Sequence, residues 1–180
     1  MANAKHYVLV SITLGAIAMV SAGAIGLVNM FADKKITQNE VDKVNSAITT
    51  LFGDGSNVSK ESNIAEYNLD STYSYLGTVY TVNSGDTLLG YGFRTAGSNA
   101  YGKIVLIVGF SVTSNAFKGL VPVVNEQTYA STLVDNYIIP VNSGDRNIDD
   151  VSCGATYGAK LVESMVNEAK DAMNKINGAS

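Results

Sequence analysis

Cysteine and histidine each occur only once in these 180 residues, as Cys153 and His6. A single cysteine excludes an intramolecular disulfide and any cysteine-cluster metal or iron–sulfur site within the chain. The one histidine precedes a long apolar run, so the remainder has no imidazole for acid–base, triad or zinc chemistry. Charge is sparse as well, 16% of residues with a formal net charge of -4. From residue 36 onward nine basic residues face fifteen acidic ones, a net -6, which argues against a nucleic-acid partner. No internal repeat, low-complexity tract or glycine-rich phosphate loop of the Rossmann or Walker type is present. This inventory fits a protein whose chemistry is borrowed from a cofactor.

What is there is apolar. Hydrophobic residues make up 46% of the chain, enough for one domain with a core plus an anchor. Val8 to Val28 contains no charged residue and, at ~1.5 Å per residue, is long enough to cross a bilayer core as a helix. It reads as a single transmembrane helix. A cleaved signal peptide, with Ser21-Ala22-Gly23-Ala24 as the small-residue site, and a buried soluble helix are the competing readings. The apolar run continues through Ile25, Leu27, Val28, Met30 and Phe31, beyond a signal peptide's usual ~7 to 15 residues. Lys5 on one side and Lys34, Lys35 and Asp33 on the other leave the orientation nearly tied by charge.

After the anchor, Thr37-Gln38-Asn39-Glu40 matches a capping box, and Val41, Val44, Ile48, Leu51 and Phe52 follow at helical spacing. The pattern predicts a helix over about 38 to 52, stopped by Gly53-Asp54-Gly55, and then a polar loop to Asn63. Strands are expected over Tyr75 to Val82 and Thr87 to Thr95, joined by a tight turn at Asn83-Ser84-Gly85-Asp86. Lys103 to Val112, nearly all apolar, reads as a sheet's central strand. A fourth strand over 119 to 125 carries Pro122, which places it at an edge or bulge. A short helix over 129 to 137, a short strand from Ile138 to Val141 and a solvated turn from Asn142 to Asp150 come next. That turn lacks the spaced ligands and closing Glu of an EF-hand loop. The last helix, about Gly158 to Lys175, puts Leu161, Val162, Met165, Val166, Ala169, Met173 and Ile176 on one broad face. Short turns between strands favour antiparallel order and an α+β class, a mostly antiparallel sheet with packed helices.

Where that last helix begins stands Asp150-Val151-Ser152-Cys153-Gly154-Ala155-Thr156-Tyr157-Gly158. Two small residues precede Thr156, so its hydroxyl is little screened, and a helix start favours an anion such as a phosphate. On local physics alone a plain helix entry with Thr as N-cap is the favoured reading, Ser and Thr being common at helix starts. Arg146 can pair with such a phosphate or with a carboxylate.

Asp150-x-x-Cys153-Gly154-Ala155-Thr156 resembles the Asp-x-x-Ser-Gly-Ala-Thr flavinylation motif of the FMN-binding domain family found in the RnfG and NqrC subunits of ion-translocating membrane redox complexes. Gly90-Tyr91-Gly92-Phe93-Arg94-Thr95, Tyr101-Gly102-Lys103 and Val108-Gly109-Phe110 are similar to that family's strand and turn pattern, and the likeness covers about residues 75 to 170. Cys153 stands where the family has Ser, Gly158 and Ala159 stand where it has Thr or Ser, and Glu126 to Ser131 lacks its Pro and Gly. The resemblance implies FMN joined to Thr156 through a phosphoester by a flavin transferase, with Cys153, Gly154, Ala155 and Tyr157 around it and Tyr101 as a ring neighbour. Glu126 and Thr128 are further, weaker candidates to line the site. Residues 1 to 35 are then a membrane anchor with short flanks, and 36 to 180 an extracytoplasmic FMN-binding domain. The implied role is an electron carrier relaying electrons among other membrane subunits of an Rnf/Nqr-like complex. A non-flavinylated structural subunit and a stand-alone extracellular flavoprotein are the alternatives.

Overall fold

The structure, a computed structural model, describes residues 39 to 69 and 73 to 178. The apolar run from Val8 to Val28 and the cap at Thr37 lie outside the described residues. Among the described residues no helix is long and apolar enough to cross a membrane. The chain divides into Met1–Asp42, of which only the helical residues 39 to 42 are described, and a second compact unit, Lys43–Ser180.

The second unit is α+β. Helix α1, described from 39 to 52 and belonging to this unit from Lys43 onward, is followed by strands β1 (Ser56–Asn63), β2 (Leu76–Ser84), β3 (Thr87–Asn99), β4 (Gly102–Ser111) and β5 (Phe117–Asn125). The five strands form one sheet in sequential order, every neighbour antiparallel. Helices α2 (Ala130–Leu133) and α3 (Ile139–Ser143) flank a π-helical turn, Val134–Ile138, and α4 (Thr156–Gly178) closes the unit.

Both faces of the sheet are covered. Val44, Ala47 and Ile48 of α1 pack with Tyr80, Val82 and Ile107 on one face. On the other, Leu161, Val162, Met165, Ala169 and Met173 of α4 join Leu133, Tyr137 and Val141 over Phe93, Leu106, Val108 and Phe110. A strand buried on both sides has no reason to alternate polar with apolar, which is why residues 104 to 110 are all buried. Met165 and Met173, fully buried, are core residues.

Two segments differ from their sequence reading. Ser56–Asn63, expected as loop, is edge strand β1. It has one strongly apolar residue, Val58, and a register shift between Val58 and Lys60, so no period-two signal survives; backbone pairing with β2 holds it. Ile138 to Val141, expected as a strand, is helical. Pro140 cannot bond back to the preceding turn, and the wider π turn ahead of it takes up the mismatch, with the Ile139 N–H bonding the Val134 carbonyl. Pro122 does fall on an edge strand, beside the β4–β5 register shift.

Side chains fix the remaining seams. Asn142 of α3 treats Leu120 of β5 as a strand partner would: its Oδ1 accepts from the Leu120 N–H and its Nδ2 donates to the Leu120 carbonyl, both at 2.8 Å. Glu168 of α4 accepts from the backbone N–H groups of Ser74 and Tyr75 at 3.1 and 2.8 Å. Next to it the Tyr73 hydroxyl donates to Asp171 at 2.6 Å, holding that carboxyl below its usual range together with Lys175.

Candidate functional site

The β3–β4 hairpin turns through Ala100 and Tyr101, and its tip lies beside the start of α4. Between them is a cavity of about 260 Å³ lined by Tyr101, Gly154, Ala155, Thr156, Tyr157 and Gly158, with Gln127, Tyr129 and Leu133 on the remaining wall. Five of the residues singled out in the sequence, Tyr101, Gly154, Ala155, Thr156 and Tyr157, are thus brought to one place. Cys153 is not on the lining; it is buried in the core beneath the loop. Glu126 and Thr128 are exposed and do not line it either.

Thr156 is the first helical residue, so the N-cap position belongs to Ala155, whose carbonyl accepts from the Ala159 N–H at 3.0 Å. The N-cap reading of Thr156 is therefore replaced by the first-turn position. The backbone N–H groups of Ala155, Thr156, Tyr157 and Gly158 have no intrahelical partner, and among the described residues none of them donates elsewhere. All four residues line the cavity. No acidic residue stands in the first turn of α4, so the positive end of a 23-residue helix is left without an internal counter-charge. The half-buried Thr156 hydroxyl makes no hydrogen bond to another described residue. Such an arrangement suits a covalently held or bound anion.

The loop leading to it is clamped from behind. Arg146 Nη1 donates to the carbonyls of Asp150 and Ser152 at 3.0 and 3.1 Å and lies 3.6 Å from the Asp150 carboxylate. That carboxylate also accepts from the Ser152 N–H at 3.4 Å. Arg146 is accordingly a loop clamp, and it does not line the cavity. Asn136, from the π-helical turn, donates to the Cys153 carbonyl at 3.2 Å. Tyr137, from the same turn, donates its hydroxyl to the Ile148 carbonyl, and burial pushes its phenol far above the usual range.

Asn99, which sequence reasoning passed over, ties three walls together. Its Oδ1 accepts from the Tyr101 N–H at 2.8 Å and from Gln127 Nε2 at 3.1 Å, and its Nδ2 donates to the Tyr157 carbonyl at 3.2 Å. Gln127, only 7% exposed, also donates to the Gly102 carbonyl. At the mouth, Tyr101 stacks on Tyr157 with ring centroids 5.4 Å apart and planes at 28°, and Tyr129 stands 6.3 Å from Tyr101. All three rings are exposed. They offer flat apolar surface beside an anion-seeking helix end, the pairing that a phosphorylated aromatic cofactor would use.

Gly158, where the resembled family carries a hydroxyl residue, has a packing reason here. A Cβ at that position would lie 3.1 Å from Leu133 Cδ2 and 3.2 Å from Gln127 Oε1, so these two side chains occupy the space. Among the described residues no group of His, Cys, Asp or Glu could hold a metal ion. In comparisons with known proteins the chain matches no family model and no curated sequence.

Proposed function

We propose that the chain is a membrane-anchored flavoprotein electron carrier that holds FMN through a phosphoester to Thr156 and relays electrons within an Rnf/Nqr-like membrane redox complex. The observation that carries this reading is the convergence of a free, half-buried Thr156 hydroxyl with four unpartnered backbone N–H groups in one aromatic-rimmed cavity. The motif resemblance supplies the bond type and the flavin. FMN supplies one- and two-electron transfer when bound. The protein's own residues have the remaining tasks. Ala155 to Gly158 direct N–H groups and the α4 dipole at the phosphate, while Arg146 and Asn136 hold the loop rigid behind Thr156. Tyr101, Tyr129 and Tyr157 provide ring surface.

The test uses the full chain produced with a flavin transferase and FAD, whose pyrophosphate bond would break to release AMP as the Thr156 oxygen bonds the FMN phosphorus and gives up its proton. Denatured protein should show a fluorescent flavin band on a gel, and the peptide containing Thr156 should gain the mass of FMN less one water. Thr156→Ala should lose both signals yet unfold within about 0.5 kcal/mol of wild type, because the hydroxyl it removes has no partner. Wild type showing neither signal would overturn the covalent reading in favour of a non-flavinylated structural subunit. The anchor and orientation are tested separately: protease outside intact cells should digest residues after about 35, and protection of the whole domain would reject an extracytoplasmic placement.

A further inference from the structure

A second cavity, of about 320 Å³, lies on the same side of the sheet, between the β4–β5 turn, the segment after α3 and the middle of α4. Its apolar lining includes Phe110, Phe117 and Ile148. Phe117 is 38% exposed and stands edge-on to Phe110 with centroids 5.8 Å apart, so an aromatic surface is open there. The polar lining is one-sided in charge: Lys170 and Arg146 with three amides, Asn115, Asn147 and Asn167, and no carboxylate.

The two cations differ. Arg146 is engaged through Nη1 with loop carbonyls and stands near Asp150, which offsets part of its charge. Its remaining guanidinium N–H groups are still donors. Lys170 makes no ion pair among the described residues. Asn167 precedes it by three residues, so both project from one stripe of α4. Asn115 is occupied by Asn174 and Asn177, whereas Asn147 and Asn167 make no side-chain bonds to other described residues. An unpaired ammonium and free amides over a partly open phenylalanine floor match a small molecule with an anionic head and an aromatic body.

We infer that this cavity is a binding site for a small aromatic carboxylate, separate from the Thr156 cavity and independent of flavin. No lining residue is common to the two cavities. The carboxylate would sit at Lys170 and Asn167, with its ring against the open Phe117, which is backed by the buried Phe110.

The experiment is a fluorine NMR titration of the full chain in detergent with 4-fluorobenzoate. Saturable binding is expected, weakened about threefold to fivefold by Lys170→Gln, the order of effect for one charge pair at a solvent-facing site. Phe117→Ala should weaken it several-fold, and neutral 4-fluorobenzyl alcohol should bind about threefold to fivefold less tightly than the acid. Melting curves of both variants establish that they are folded, and Asn167→Asp, an exposed change that adds a carboxylate, should weaken binding as Lys170→Gln does. Absence of saturable binding to wild type overturns the inference, as does equal binding by the Lys170→Gln chain. Displacement of the probe by inorganic phosphate at equal concentration would show an anion patch without ring recognition and equally reject the aromatic class.

Discussion

Gly102→Ala is the sharpest test of how the hairpin tip and the cavity wall are joined. Gly102 opens β4 with φ of 133°, and a Cβ there would fall 2.1 Å from the Glu126 carbonyl oxygen and 2.6 Å from its carbon. Neither atom belongs to a flexible side chain, so the two backbones must part by roughly an ångström to restore contact distance. That separation breaks bonds now at 2.9 Å, Glu126 N–H to the Lys103 carbonyl and Thr128 N–H to the Tyr101 carbonyl. Two lost bonds at about 1 kcal/mol each and about 1 to 3 kcal/mol of backbone strain give about 3 to 5 kcal/mol in all. The melting temperature should fall by roughly 10 to 20 °C for a domain of this size. Gly53→Ala separates strain from collision, because Gly53 also has a positive φ, 94°, but no atom within 4 Å of its Cβ position. That variant should cost about 1 to 2 kcal/mol. Thermal and urea unfolding of the three chains decide the matter. Equal losses from both substitutions, or a Gly102→Ala chain within about 1 kcal/mol of wild type, would refute the argument from close approach.

Three further outcomes follow from individual contacts. Tyr137→Phe leaves the Ile148 carbonyl without its donor and should cost about 1 to 3 kcal/mol at neutral pH. Because burial raises the folded-state pKa of Tyr137 above the ordinary 10.0, its contribution is complete below pH 10 and is lost as pH rises towards the folded value; alkaline denaturation should therefore be shallower in Tyr137→Phe, and identical alkaline profiles would contradict this. Asn142→Ala exposes both Leu120 backbone groups and should lower stability by about 2 kcal/mol, read by urea unfolding. Asn99→Ala should cost about 1 to 2 kcal/mol and reduce the near-ultraviolet circular dichroism of the Tyr101–Tyr157 stack, a signal that a change remote from the cavity would leave alone.

The elements legible in the sequence were those whose pattern is local. Tyr75 to Val82 and Thr87 to Thr95 are strand-like runs separated by the turn residues Asn83-Ser84-Gly85-Asp86, and α4 carries its apolar face at helical spacing; the structure has strands at 76 to 84 and 87 to 99 and a helix at 156 to 178 in those places. The end of β3 was not legible, because Ala96 to Asn99 are held by pairing with β4 and not by apolar alternation. β1 was missed for the same reason at a polar edge. At the site, the Asp150 to Gly158 stretch was visible as a motif. The segment Glu126 to Ser131 was visible only through the resemblance, and the residues favoured there, Glu126 and Thr128, are the exposed neighbours of the lining residues Gln127 and Tyr129; Leu133 and Asn99 carry no signal, since they meet the motif only when the chain after β5 folds back onto the hairpin tip. Nothing in the local sequence around Asn99 or Leu133 marks that return.

The Asn142 contact also bears on how this sheet can be extended. With an amide occupying the outward N–H and C=O of Leu120, a strand from another molecule cannot add in register at β5 without first displacing it. Growth of a cross-β array needs two complementary open edges on each unit, one to receive and one to offer. A unit blocked on one side can pair only like with like, β1 against β1 about a two-fold axis, and that arrangement closes after two copies. The single asparagine thus closes one of the two edges that open-ended propagation requires.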